Sequence, residues 1–126
     1  MLDYDYFFKI IDLILAENTA ETLLLYNEIL EKGFDGQHFL GGLNEHLRDL
    51  SVCKSPATIK LMEVSDSIKN EYLNQSKAVA DDILIRLLTL FTKSESEYKS
   101  SNNKRLHVEV ALMQACYLKR ARVRQS

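Results

Sequence analysis

Apolar residues recur at intervals of three and four along most of the chain. This spacing places them on one face of an α-helix, which turns through about 100° per residue. The chain has only four glycines and one proline, and it shows no alternating pattern of β-branched residues. The sequence therefore predicts an all-α fold with one domain over residues 1–126. We expect a compact antiparallel bundle of about five to seven helices, because the predicted loops are short.

Capping signals mark the first two predicted helices. The first covers residues 4–16, and Asn18 is a suitable N-cap for the second. Glu21 follows three residues later and completes the pattern of a capping box. Gly33 then ends the second helix, since glycine favours the left-handed backbone conformation that follows a helix C-terminus.

Similar signals indicate five further helices. Asp35 is the predicted N-cap of the third, and Ser55 with Pro56 opens a short fourth. The predicted ranges are 35–54 for the third, 58–64 for the fourth, about 68–76 for the fifth, 79–98 for the sixth and 103–123 for the seventh. Gly41 and Gly42 inside the third helix cost about 1 kcal/mol each relative to alanine. Either the helix is irregular there or another backbone packs closely against it, and we favour close packing.

The seventh predicted helix is apolar on two sides. One stripe consists of Leu106, Val110, Met113 and Tyr117, and a second, on roughly the opposite side, consists of Val108, Leu112 and Ala115. A surface helix of a small domain normally has one apolar and one polar face. The pattern therefore indicates either a central core helix or a helix that also contacts a second chain.

The formal net charge of −2 conceals an asymmetry. Residues 1–100 carry 10 basic and 17 acidic side chains, whereas residues 101–126 carry 6 basic and 1 acidic. Lys119, Arg120, Arg122 and Arg124 could contact nucleic-acid phosphates, although cations at a helix C-terminus also complement the helix dipole. No apolar run is long enough to span a membrane and no secretion signal begins the chain, so we expect a cytoplasmic protein.

The sequence contains no recognisable catalytic or metal-binding pattern. Glycine-rich phosphate-binding motifs are absent. Glu45, His46 and Asp49 lie within one helical turn and could in principle bind a metal. Polar helix surfaces explain His38, His46 and His107 more simply. We therefore expect no catalytic residue, metal or cofactor in this chain.

The two cysteines are far apart in sequence. Cys53 and Cys116 lack a partner at the spacing of a zinc site, and we expect both to be buried free thiols with raised pKa values. Asp81 and Asp82 occupy the start of a predicted helix, where carboxylates favour the helix dipole. They are interpreted as a solvated helix start.

Two charged residues are surrounded by apolar neighbours. Arg48 lies between Leu47 and Leu50, and Glu109 lies between Val108 and Val110. A partly buried charge requires a partner. An ion pair between Arg48 and Glu109 is therefore one hypothesis, and two unrelated surface charges are the other.

Four further segments lie in order along the chain: LDYDYFFK at 2–9, KGFDG at 32–36, LNEHLRDL at 43–50 and RLHVEVAL at 105–112. In order and spacing they resemble the third domain of the gamma/tau subunit of the bacterial DNA polymerase III clamp loader. The resemblance spans nearly the whole chain. It implies a helical collar, a non-catalytic oligomerisation domain that joins clamp-loader subunits into a pentameric ring over DNA.

The resemblance also implies what should lie outside this chain. The ATPase domain, with its phosphate loop and zinc-binding cysteines, precedes the collar in this family, and ATP and zinc are expected only there. The full subunit would belong to the DNA polymerase III holoenzyme, a DNA-directed DNA polymerase with ATP-dependent clamp loading. Partners would be other clamp-loader subunits or further copies of this chain, as a homo-oligomer. DNA would be contacted only through the assembled complex, and no membrane is involved.

A subunit joined on both sides in a ring needs two different contact surfaces, which the doubly apolar seventh helix could help to supply. The expected interface residues are Arg105, Leu106, Val108, Glu109, Val110, Leu112 and Met113. Their division between core and interface is left open by the sequence. The alternatives are a stand-alone helical interaction module and a nucleic-acid-binding domain that uses the basic C-terminal end.

Overall fold

The computed structural model describes the backbone of residues 3–125 and the side chains of residues 3–120. Within that part of the chain every regular element is an α-helix, which confirms the predicted all-α class. The helices are α1 (Tyr4–Leu15), α2 (Thr19–Glu31), α3 (Gly36–Val52), α4 (Pro56–Ile59), α5 (Asp66–Ala78), α6 (Asp81–Glu97) and α7 (Lys104–Gln125). No helix of the described residues is long and apolar enough to cross a membrane.

Side-chain caps fix the helix starts that the sequence indicated. The Asn18 side chain accepts a hydrogen bond of 3.2 Å from the Glu21 amide, and Asp35 accepts one of 2.8 Å from the His38 amide. These bonds satisfy first-turn amides that have no partner within the helix. Gly33 has a φ of 97°, which confirms its left-handed position after α2.

The fourth helix is shorter than predicted. It begins at Pro56 after the N-cap Ser55, as these two residues indicated, but it ends at Ile59, so the predicted range 58–64 starts and ends too late. The Thr58 hydroxyl donates to the carbonyl of Val52 at 2.7 Å, which ties this single turn back to α3. The chain then continues as a loop held by the buried side chain of Met62.

α3 and α7 are the central helices of the bundle. α3 packs against α6, α5, α1 and α7, and α7 packs against α6, α2, α1 and α3. The buried apolar residues of α3 recur at helical spacing and form the middle of the core: Phe39, Leu40, Leu43, Leu47 and Leu50. Removing such side chains from water is the main force that stabilises the bundle.

Gly42 allows close contact between α3 and α1. A Cβ atom at this position would collide with the ring of Phe7, whereas one at Gly41 would lie 3.4 Å from a carboxylate oxygen of Glu95. Close packing is thus found at Gly42, but the group that approaches is the side chain of Phe7 rather than another backbone.

A buried network of hydrogen bonds connects three helices and corrects one sequence interpretation. His46 is buried rather than on the helix surface, and its Nε2 lies 2.6 Å from Oε1 of Gln75 in α5. The Gln75 amide group donates to the carbonyl of Phe8 at 2.9 Å and to the Asp12 carboxylate at 2.8 Å. These hydrogen bonds therefore join α3, α5 and α1 inside the bundle.

Candidate interaction surface on the last helix

The two apolar stripes of α7 have different environments. Val108, Leu112 and Ala115 are buried, together with Ala111 and Cys116. The opposite stripe faces solvent, with exposed fractions of 49% at Leu106, 41% at Val110, 40% at Met113 and 41% at Tyr117. We call these four residues the α7 stripe. The structure thus separates the core side of the helix from an exposed apolar side, which the sequence could not do.

Small residues place α7 deep in the bundle. Ala111 and Ala115 are buried, and they let the helix axis approach its neighbours closely. The thiol of Cys116 lies 3.7 Å from the buried hydroxyl of Thr22 in α2. Because α1, α2 and α6 cover the inner face, the α7 stripe is left on the outside.

A groove between α6 and α7 extends the apolar surface. It has a volume of about 440 Å³ and opens to solvent. Its lining includes Leu106 and Val110 from α7 and Leu90, Lys93 and Glu97 from α6. The α7 stripe is therefore one edge of a broader surface that combines apolar side chains with charges of both signs.

The expected polar interface residues are anchored within the chain. Arg105 Nε lies 3.3 Å from the Glu109 carboxylate, one turn further along α7. The other end of the guanidinium donates a hydrogen bond of 2.6 Å to the side-chain oxygen of Asn27 in α2. Arg105 and Glu109 therefore sit together beside the α7 stripe, held in a defined orientation.

The predicted ion pair between Arg48 and Glu109 is not formed. Arg48 donates instead to the neighbouring Asp49 at 3.0 Å and remains largely exposed. Glu109 is paired with Arg105 on its own helix. Leucines on both sides in sequence did not indicate burial of Arg48, because adjacent residues of a helix point in different directions.

The residues considered for catalysis or metal binding do not converge. Glu45 is exposed while His46 points into the core, so the two diverge despite being adjacent. His38 pairs with Asp35 at 2.9 Å, and a ring nitrogen of His107 lies 2.9 Å from the carbonyl of Ser94. Among the residues that the structure describes, no three His, Cys, Asp or Glu side chains are grouped as a metal site.

Both cysteines are buried free thiols, as the sequence predicted. The Cys53 sulfur lies 3.3 Å from the sulfur of Met62. Burial raises the pKa of the Cys53 thiol, so this sulfur is protonated and a poor nucleophile at neutral pH.

The basic end of α7 is partly used within the chain. The Lys119 ammonium donates to the carbonyl of Leu15 at 2.8 Å, and Arg120 pairs with Glu17 at 2.9 Å. The side chains of Arg122 and Arg124 lie outside the described residues. Two of the four candidate phosphate contacts are therefore structural, closing α7 onto the turn between α1 and α2.

Fold and surface together define a small all-α domain with an apolar helix face directed to solvent. The chain belongs to the family described as DNA polymerase III subunits gamma and tau domain III, which it matches over residues 1–126. These are clamp-loader subunits of DNA replication, and the resemblance found in the sequence is confirmed.

A relative supports the same assignment. DNA polymerase III subunit tau of Bacillus subtilis (strain 168) is 22% identical over 100 residues, which make up 79% of this chain. The matched region is 18% of that relative's length. The chain thus corresponds to a small part of the relative.

Proposed function

We propose that this chain is a non-catalytic oligomerisation domain, a collar through which clamp-loader subunits associate into a ring. The α7 stripe is the observation that carries the proposal. Single exposed apolar residues are ordinary on protein surfaces, but four on successive turns of one helix form a contiguous patch. Such patches are typical of surfaces that a partner covers.

The shape of this surface fits an interface better than a small-molecule site. A stable protein interface uses about 20–30 residues on each partner, so the α7 stripe needs neighbouring surface to complete it. The groove between α6 and α7 adds a second helix to the surface, and it is too open to enclose a small ligand. Arg105 and Glu109 would lie at the rim, where polar groups give orientation more than affinity.

The wider role follows from the family. ATP binding and hydrolysis, zinc binding and the contact with DNA are proposed for parts of the complete subunit and its assembly outside this domain. The partners would be other clamp-loader subunits or copies of this chain, in the cytoplasm. Family membership and the likeness to a tau subunit support this assignment.

Light scattering over a wide concentration range tests the proposal. We expect the wild-type chain to grow beyond its 14.5 kDa monomer mass as concentration rises. Val110→Asp should abolish this growth while the circular dichroism spectrum stays helical, because Val110 is exposed. Leu61→Asp is the matched control, since it places the same charge at an exposed apolar residue outside α7.

A wild-type chain that stays monomeric up to about 1 mM would contradict self-association through this stripe. Equal loss of association in the Val110 and Leu61 variants would show that the α7 stripe has no special part in it. A stand-alone interaction module would also remain monomeric, but it would bind an unrelated partner through a single patch.

A further inference from the structure

We propose that the α7 stripe of one copy docks into the groove between α1 and α2 of a second copy. This inference rests on the proposed function, because it names the surface that receives the stripe. The association would be heterologous, meaning that each copy uses two different faces.

The receiving surface, which we call the α1/α2 groove, is apolar at its centre. It has a volume of about 410 Å³, and its apolar lining comes from Leu13, Leu24 and Leu25. Leu24 is 61% exposed, the largest exposed fraction among the large hydrophobic residues that the structure describes. An exposed leucine in a concave apolar lining is a suitable contact for the side chains of another helix.

Carboxylates surround this apolar centre. Asp12, Glu21 and Glu28 line the α1/α2 groove, and Lys9 is its one basic lining residue. The helices that form it are acidic as a whole, since residues 4–31 contain six acidic side chains and one basic side chain. The α1/α2 groove is therefore an apolar strip with a negative rim.

The α7 stripe has the opposite rim. Residues 104–120 contain four basic side chains and one acidic side chain, Glu109. Lys104 and Arg105 are exposed at one end of the stripe and Arg120 at the other, where Arg105 pairs with Glu109 and Arg120 with Glu17. These five groups leave an excess of one positive charge beside the stripe. The four charged residues of the α1/α2 groove leave an excess of two negative charges, so the two surfaces are complementary in charge.

The same charges disfavour symmetric pairing. Two α7 stripes facing each other would bring like basic groups together, and two α1/α2 grooves would do the same with carboxylates. Like charges across an interface oppose association. The charge pattern thus favours docking of the α7 stripe into the α1/α2 groove over pairing of two α7 stripes.

Both surfaces are available on one copy at the same time. The lining of the α1/α2 groove comes only from α1 and α2, whereas the groove beside the α7 stripe is lined by α6, α7 and the turn between them. One bound neighbour therefore leaves a second docking surface free. Repeated contacts of this kind produce a ring when the rotation between copies closes.

Two single variants test the pairing by complementation. Val110→Asp disables the stripe, and Leu24→Arg disables the groove by placing a bulky positive charge at its centre. Each variant alone should remain at the 14.5 kDa monomer mass. An equimolar mixture should form a complex of about twice that mass and grow no further, because one intact stripe and one intact groove remain.

The outcomes separate this inference from the proposed function. If Val110→Asp is monomeric while Leu24→Arg associates like the wild type, the α1/α2 groove is not the receiving surface and the inference is overturned. The role of the α7 stripe would then stand. If neither variant differs from the wild type, both the inference and the proposed function are overturned.

Charge reversal gives a second readout. Changing Glu21 and Glu28 together to lysine should weaken association on the order of tenfold, because the rim would then repel the basic ends of α7. Glu63→Lys with Glu71→Lys is the matched control, since both residues are exposed and lie outside the α1/α2 groove. Equal weakening by the two pairs would overturn the charge-selected pairing.

Discussion

His46 shows how a single residue can hold a polar group inside an apolar core. The Gln75 amide group donates two hydrogen bonds, so its oxygen must accept one from His46 Nε2. The proton is thereby assigned to Nε2, and Nδ1 is buried without a hydrogen-bond partner. Burial lowers the pKa of His46 to about 4, against the smaller opposing effects of the Gln75 hydrogen bond and the charge of Asp12.

This pKa predicts a pH-dependent stability. Below the ordinary pKa of 6.5, the unfolded chain binds a proton at His46 that the folded chain does not bind until about pH 4. The contribution of His46 to the free energy of unfolding should therefore fall as the pH is lowered through this window and level off below it. The expected loss from this residue is about 3 kcal/mol, measured by urea denaturation at a series of pH values.

His46→Gln is the control for this effect, because glutamine keeps a donor near Gln75 but does not titrate. The difference in unfolding free energy between wild type and variant should change across the window. Parallel pH profiles for the two proteins would show that His46 does not titrate differently in the folded state.

The adjacent glycines of α3 offer a matched test of close packing. Gly42→Ala should lower the free energy of unfolding by about 1–3 kcal/mol, because its Cβ would collide with the buried ring of Phe7. Gly41→Ala meets only an ordinary contact, and it should raise stability by about 1 kcal/mol through helix propensity. Thermal or urea denaturation of the two variants measures these changes in unfolding free energy. A change of the same sign in both variants would refute the packing argument.

Between helices, the buried side-chain amide of Asn44 links α3 to α6. The Asn44 side chain donates to the carbonyl of Phe91 at 3.1 Å and to the Glu95 carboxylate at 2.8 Å. Asn44→Ala should cost about 1–3 kcal/mol in urea denaturation, since both hydrogen bonds are lost inside the bundle. Glu45→Ala, one residue along and exposed, should change stability by no more than about 0.5 kcal/mol. Similar losses of stability in the Asn44 and Glu45 variants would mean that the Asn44 hydrogen bonds do not contribute to the free energy of unfolding.

The helices that could be predicted from the sequence are those with local signals. Asn18, Asp35 and Gly33 act through bonds or backbone angles within a few residues, so their effect is readable without the fold. The end of α4 could not be predicted, because residues 60–63 contain no glycine, proline or other helix stop signal. His46 was also misread, although it continues the buried spacing of Phe39 and Leu43 in α3 and could have been placed by that signal.

In the assembled bundle, the buried face of α7 determines stability and its exposed face is the one proposed for association. Leu112→Asp should unfold the chain or lower its stability by several kcal/mol, since it places a charge at a fully buried site. Val110→Asp, two residues earlier on the exposed side, should keep the helical spectrum and the unfolding midpoint nearly unchanged. Circular dichroism during urea titration distinguishes the two, and equal loss of structure would contradict the assignment of core and exposed faces.

Only part of the candidate surface could be predicted from the sequence. The spacing identified both stripes, but Val108 and Val110 are equally apolar and only the packing of α1, α2 and α6 decides which is covered. Leu112 and Val108 were therefore included among expected interface residues although they are in the core. The α1/α2 groove was missed because its apolar and acidic residues come from two helices whose relative position is tertiary information.

The contacts of Lys119 and Arg120 with the turn after α1 bear on how the chain folds during synthesis. A ribosome releases α1 and α2 well before α7, yet Lys119 must reach the carbonyl of Leu15 across about a hundred residues of sequence. Until α7 emerges, the faces of α1 and α2 that it covers remain exposed to water and can form incorrect contacts with other molecules. Among the seven helices of this bundle α7 is thus the one that completes the nascent core, and a translational pause just before it would leave the bundle most vulnerable to aggregation.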